Sequence, residues 1–203
     1  MEDIILVDDF VDLMTQESIK ELCMNPHKFF WYYNKQATVV DALHNPFPIT
    51  TDSVETPMFS HVIAGDNGEV NTPHFKEFVT IFNALPIKKL LRCKINLTTM
   101  SQLTTPTSYG LPHTDYTIDF PFVTAIYYIN DSDGDTVIFN ETNEYKGSEL
   151  TIKHRIQPKQ GRMVMFSGDY LHSGNNPTTD SPRLTLNINF VPSRVIAQSH
   201  NTL

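Results

Sequence analysis

The chain has 203 residues, with 15 lysines and arginines against 23 aspartates and glutamates and a formal net charge of -8 at pH 7. This length suits one domain with its own core rather than two, and the acidic balance offers no broad positive field for a nucleic-acid backbone. Cys23 and Cys93 form no CxxC motif and are expected as reduced core thiols; the acidic start lacks the basic and apolar regions of a signal peptide, and no run reaches the roughly 18 to 20 apolar residues of a membrane span, so a soluble cytoplasmic protein is expected.

In chain order, Ile4 to Val7 reads as a strand, and Thr15 to Ser18 leads into a short amphipathic helix carrying Ile19, Leu22 and Cys23. The aromatic run Phe29 to Tyr33 predicts a strand packed against the core, and the polar, proline-containing stretch from 34 to 57 an irregular loop that covers a site. A second helix is expected from Thr72 as N-cap and Pro73 at the first helical position; Phe75, Phe78, Ile81, Phe82 and Leu85 form one face and Pro86 ends it. Strands are then predicted over 92–98, 122–130, 136–140, 149–156, 162–166 and 183–191, with turn residues at 131–134, 159–161 and 174–177 between them. Helices first and short strands afterwards indicate a mainly β fold with supporting α-helices, a jelly roll. The chain reads as a single domain with helical support over 1–89 and the jelly-roll core over 90–193.

The chemistry concentrates in His113-Thr114-Asp115, His172 and Arg183. In an extended strand, side chains two apart share a face, so His113 and Asp115 can bind one metal while a second strand brings His172. Two histidines and one carboxylate occupy one face of an octahedral ion and leave the rest open, which suits Fe(II) with a chelating co-substrate and dioxygen. Arg183 supplies a fixed cation able to grip a carboxylate with two parallel hydrogen bonds, and Thr185 shares its face. Zinc is the competing metal, but a hydrolytic zinc site needs a further general base. A cupin-like jelly roll would carry a richer histidine cluster with a glutamate. The histidines at 27, 44, 61, 74, 154 and 200 have no comparable partners.

The ordered motifs His113-Thr114-Asp115, Thr124 to Asn130, Gly134 to Phe139, Pro158 to Phe166, His172 and Arg183 resemble the Fe(II)/2-oxoglutarate-dependent dioxygenases, in particular the prolyl 4-hydroxylase-like branch. The resemblance implies a double-stranded β-helix with His113, Asp115 and His172 as catalytic metal ligands, and Fe(II), 2-oxoglutarate as co-substrate and dioxygen as cofactors. It further implies that 2-oxoglutarate binds through its oxo-acid end, with Arg183 and the Tyr128 hydroxyl on its far carboxylate and Thr185 in place of the family's serine. Asn96 and Thr98, on the strand before His113, are candidate pocket residues. Gly134-Asp135 departs from the Gly-Gly of many prolyl hydroxylases, and the connection from Thr98 to His113 is long and polar.

The implied activity is hydroxylation of an unactivated carbon. A prolyl residue of a protein or peptide is the first substrate class, a free amino acid or other small metabolite the second, and a nucleobase the third, which the acidic charge weighs against. A non-catalytic metal-binding jelly-roll module is the alternative outside enzymes. Residues 101–111, with Tyr109, and the 34–57 stretch are expected to form the substrate entrance.

Overall fold

The computed structural model describes residues 4–36, 53–54, 56–116, 120–147 and 149–193. In chain order they form β1 (Ile4–Val7), α1 (Leu13–Met24), β2 (Tyr32–Asn34), β3 (Met58–Ala64), two 3₁₀ turns (Asp66–Gly68 and Phe75–Phe78), α2 (Val79–Ala84), β4 (Ile87–Thr98), β5 (Val123–Tyr128), β6 (Thr136–Thr142), β7 (Ile152–Ile156), β8 (Met163–Ser167), β9 (Tyr170–Gly174) and β10 (Arg183–Pro192). The strands make two antiparallel sheets, a large one in the order β1-β8-β5-β10-β4-β3-β2 and a small one in the order β7-β6-β9. This is the mainly β, double-stranded β-helix expected, and no helix among the described residues is long and apolar enough to cross a membrane.

The large sheet owes its two different faces to strict alternation. On β10, Leu184, Leu186, Ile188 and Phe190 point to one side and Arg183, Thr185, Asn187 and Asn189 to the other; β4 does the same with Leu91, Cys93 and Ile95 against Arg92, Lys94, Asn96 and Thr98. The register aligns these sets: Arg183, Thr185, Asn187 and Asn189 stand opposite Thr98, Asn96, Lys94 and Arg92. The apolar side packs on α1, the Phe75–Phe78 turn and α2 through Ile19, Cys23, Phe78 and Ile81, which bury a shared core with Leu186, Ile188 and Phe190. Truncating a fully buried residue such as Ile188 to alanine there costs about 2 to 5 kcal/mol. On the opposite side, Ile126, Tyr128, Val164 and Phe166 meet Ile138 and Ile156 of the small sheet. The polar rows of β4 and β10 also lie on this inner side, so the site is built between the sheets.

The helices and turns follow local chemistry. Asp12 caps α1, accepting hydrogen bonds from the Thr15 backbone N–H at 3.0 Å and the Thr15 hydroxyl at 2.7 Å. Gly161 turns at φ 77°, where a Cβ would meet the Gln16 amide at 2.5 Å, and so brings β8 into line beside β5 while touching α1. Both cysteines are buried and free, and burial pushes the Cys23 thiol up to about 12.

Four expectations need correction. The second helix divides into the 3₁₀ turn over Phe75–Phe78 and the six-residue α2, although Thr72 does accept a hydrogen bond from the His74 N–H at 3.2 Å. In the aromatic run only Tyr32 and Tyr33 enter a strand, and they are exposed with Phe30, because β2 is the edge of the sheet; Phe29 alone is fully buried. The stretch before 58 is followed directly by β3, which the sequence reading passed over, and residues 37–52 of the expected loop lie outside the described residues. β4 begins at Ile87, five residues before the predicted start, since Lys88 and Lys89 are exposed at its end and break the apolar pattern.

Candidate metal centre

His113 and His172 come together by backbone pairing between a short bridge and β9. Each donates its backbone N–H to the other's carbonyl, at 3.0 and 2.9 Å, in an isolated antiparallel bridge, and their ring centroids are 4.8 Å apart. His113 is therefore not in a continuous strand as expected, and Asp115 lies in a bend just after the bridge. The bend performs the task assigned to strand periodicity: one ligand atom from each of His113, Asp115 and His172 lies within 4.8 Å of the others. Among the described residues this is the one group of three or more histidines, cysteines, aspartates or glutamates so arranged. His44 and His200 lie outside the described residues.

Both rings are oriented by the chain itself. His113 Nδ1 is 2.9 Å from the Leu111 carbonyl and His172 Nδ1 is 3.2 Å from the Tyr170 carbonyl, which fixes the proton on Nδ1 and makes Nε2 the nitrogen that would take a metal. His172 Nε2 is buried with no hydrogen-bond partner among the described residues and stands 3.5 Å from Asp115 Oδ2. An orphaned imidazole nitrogen facing a carboxylate is the donor set a divalent ion completes, so the residues fit the metal. Burial and the neighbouring His172 push His113 down to about 4, so its ring is neutral and available.

Asp115 is held from several sides. Its carboxylate, whose side chain is only 2% exposed, accepts from Arg92 at 3.1 Å, Asn189 at 2.9 Å, Asn187 at 3.3 Å and the Thr124 hydroxyl at 3.3 Å. Burial alone would raise its pKa, but His172 and the Arg92 charge together hold it well below the usual carboxylate range. The sequence reading missed Arg92, Asn187 and Asn189. Their signal was present in the two-residue period that continues from Arg183 and Thr185 along β10.

A cavity of about 80 Å³ opens beside these ligands; its wall includes His113, Asp115, Asn96, Thr98, Lys94 and Arg183. Arg183 is buried; its Nε donates to the Gly134 carbonyl and its Nη2 to the Thr136 hydroxyl, both at 2.7 Å. No carboxylate among the described residues forms an ion pair with it. Tyr128 donates its hydroxyl to the same Thr136 oxygen at 2.7 Å, and burial pushes its pKa up to about 12, so it remains a neutral donor. Thr136, absent from the sequence-derived set, thus joins the two residues expected on a far carboxylate. Tyr128 and Thr185 adjoin Arg183 but do not line the cavity, whereas Asn96 does. Asn96 Oδ1, Thr98 Oγ1 and Ser173 Oγ are buried without a hydrogen-bond partner among the described residues, which suits this cavity to a polar guest.

Of the expected entrance, Val54, Thr56, Gly110 and Leu111 reach the cavity wall. Tyr109 does not: it is buried against Phe139, Val137 and Leu171, with its ring edge-on to Phe139 at 5.1 Å. An aromatic side chain beside a polar loop read as an entrance residue; its apolar body instead fills the core beneath that loop.

Comparison with known proteins agrees with this geometry. A family model described as the 2OG-Fe(II) oxygenase superfamily matches residues 99–191. Among solved structures, a prolyl-4-hydroxylase from Pseudomonas putida is similar at 15% identity and TM-score 0.54, over 95% of this chain and 94% of that one. A prolyl hydroxylase from Trichoplax adhaerens, in complex with a hypoxia inducible factor oxygen degradation domain peptide fragment, is similar at 14% identity and TM-score 0.59, over 95% and 84%. The epimerase SnoN in complex with Fe3+, alpha ketoglutarate and nogalamycin RO is similar at 13% identity and TM-score 0.58, over 99% and 87%. No curated protein matches the chain.

Proposed function

We propose that this chain, which belongs to the 2OG-Fe(II) oxygenase superfamily through residues 99–191, hydroxylates an unactivated carbon, with a prolyl residue of a protein or peptide as the leading substrate class. The observation that carries the reading is the convergence of His113, Asp115 and His172 beside a cavity whose wall His113 and Asp115 share with the buried Arg183, which has no ion-paired carboxylate among the described residues. Together with 2-oxoglutarate and dioxygen, bound Fe(II) supplies oxidative decarboxylation to succinate and carbon dioxide, coupled to oxidation of the substrate carbon.

The chain's residues prepare this chemistry. His113 and His172 offer their Nε2 atoms, because backbone carbonyls hold their Nδ1 protons. Asp115 is kept ionised and fixed in direction by Arg92, Asn187 and Asn189. Arg183 takes the far carboxylate of 2-oxoglutarate, while Gly134 and Thr136 fix the plane of its guanidinium. Tyr128 acts on that carboxylate through Thr136, and Asn96 lines the space between.

Support for a prolyl substrate is the similarity to the two prolyl hydroxylases and the motif wording from His113 to Phe190. A small-molecule substrate is the second reading, favoured by the similarity to SnoN in complex with nogalamycin RO. The test is succinate formation by iron-loaded protein, first alone and then with proline-containing peptides and free amino acids. Succinate coupled to a hydroxylated product is expected, with near-complete loss in His113→Ala, Asp115→Ala and His172→Ala. Parental Fe(II) binding and turnover in all three variants would refute the centre.

A further inference from the structure

Lys94 lies on the cavity wall without an ion-paired carboxylate among the described residues. It sits on β4 directly opposite Asn187, the residue that donates to Asp115, and its side chain lines the same cavity as Arg183. Among the described residues its ammonium has neither an ion pair nor a hydrogen bond. Nearby Arg92 is matched by Asp115, which leaves Lys94 and Arg183 as the cavity's two cations without an ion-paired carboxylate. A methionine could provide the same apolar stem, so packing does not account for the charge. A cation drawn from water into such a wall is costly unless an anion meets it.

Its place along the sheet indicates which anion. The register puts Arg183 opposite Thr98, four residues along β4 from Lys94, which corresponds to about 13 Å of strand. Both side chains are long enough to lean into the cavity between these points. The ligand-bearing end lies with Lys94, which stands opposite Asn187, and the Asn187 amide donates to Asp115 at 3.3 Å. The two cations therefore mark opposite ends of one polar space, one remote from the metal ligands and one beside them.

Resting on the reading of Arg183 as the anchor of the far carboxylate, we infer that Lys94 is a second anchor, the counter-ion of the carboxylate adjoining the oxo group of 2-oxoglutarate. The chain then provides one cation for each end of the diacid. Lys94 would raise affinity for every 2-oxo acid, while Arg183 selects those carrying a second carboxylate.

The two roles separate in calorimetric titrations of the full chain loaded with Mn(II), using 2-oxoglutarate and 2-oxopentanoate, which has the oxo-acid end but no far carboxylate. Lys94→Met is expected to weaken both acids by a similar factor, about 10- to 100-fold, with parental Mn(II) affinity. Lys94→Arg should recover part of the loss. Arg183→Met should weaken 2-oxoglutarate and leave 2-oxopentanoate at its parental affinity; if it weakened both equally, the reading of Arg183 would fail while the result for Lys94 stood. Should Lys94→Met be too unstable to titrate, Lys94→Gln carries the same expectation. Parental affinity for both acids in the charge-free Lys94 variant overturns the inference and assigns the cation to another anion, such as an acidic group on the primary substrate.

Discussion

Replacing Asp115 with alanine should destabilise the metal-free protein more than replacing His113, although both are proposed metal ligands. Asp115 ties three strands to its bend, accepting from Arg92 on β4, Thr124 on β5 and Asn187 and Asn189 on β10. Each such bond contributes about 1 kcal/mol net, and its loss strands a buried amide or hydroxyl. The Arg92 contribution is discounted because its side chain is 24% exposed and can turn to water. Relief from burying the carboxylate offsets a further part. The net expectation is about 2 to 3 kcal/mol, or roughly 4 to 12 °C in Tm for a chain of this size. His113→Ala gives up the ring bond to the Leu111 carbonyl and some packing against His172, about 1 kcal/mol. Thermal unfolding followed by circular dichroism in excess chelator near neutral pH compares the two. An Asp115→Ala protein that melts with the parent, or above His113→Ala, refutes the view that this carboxylate holds the strands together.

Three further outcomes follow from the same contacts. Thr136→Val removes the oxygen shared by Arg183 and Tyr128, so 2-oxoglutarate affinity should fall about 10-fold with metal affinity retained; an unchanged titration excludes the Thr136 link. Gly134→Ala places a Cβ 2.5 Å from the Asn175 carbonyl oxygen, 2.9 Å from the Pro177 nitrogen and 3.1 Å from Arg183 Cδ, so it should lower both Tm and 2-oxoglutarate affinity, and parental values for both count against that packing. His113 falls from an ordinary 6.5 to about 4 in the folded chain, so between these values the unfolded chain holds the extra proton and stability drops as pH falls through the window. Melting of metal-free parent and His113→Gln across that range should show a shallower dependence in the variant, and equal slopes would remove His113 as the cause.

The fold was legible wherever side chains alternate. β10 shows four polar residues in step with four apolar ones, and that pattern located the strand and put Thr185 on the face of Arg183. Segments without the alternation were not readable in the same way. In β3, Met58, His61, Ile63 and Ala64 are buried because the strand is covered on more than one side, and that environment leaves no two-residue signature. The aromatic run misled for the opposite reason. Phe30, Tyr32 and Tyr33 have high strand propensity, but the edge position that exposes them is set by sheet order, a property of the whole chain.

The site divides along a related line. His113, Asp115, His172 and Arg183 could be picked out because residue type and order restrict their chemistry, even though the spacing argument assumed a strand where the chain makes a bridge and a bend. Thr136, Arg92 and Lys94 are ordinary strand residues by type. Thr136 matters because β6 of the small sheet brings its hydroxyl within 2.7 Å of both Arg183 and Tyr128 on the large one. Arg92 and Lys94 lie two apart on one face of β4, yet Arg92 finds Asp115 while Lys94 has no ion-paired carboxylate among the described residues. Periodicity assigns the two basic residues to the same wall; only the bend at Asp115 distinguishes a group that holds a metal ligand from one left facing the cavity.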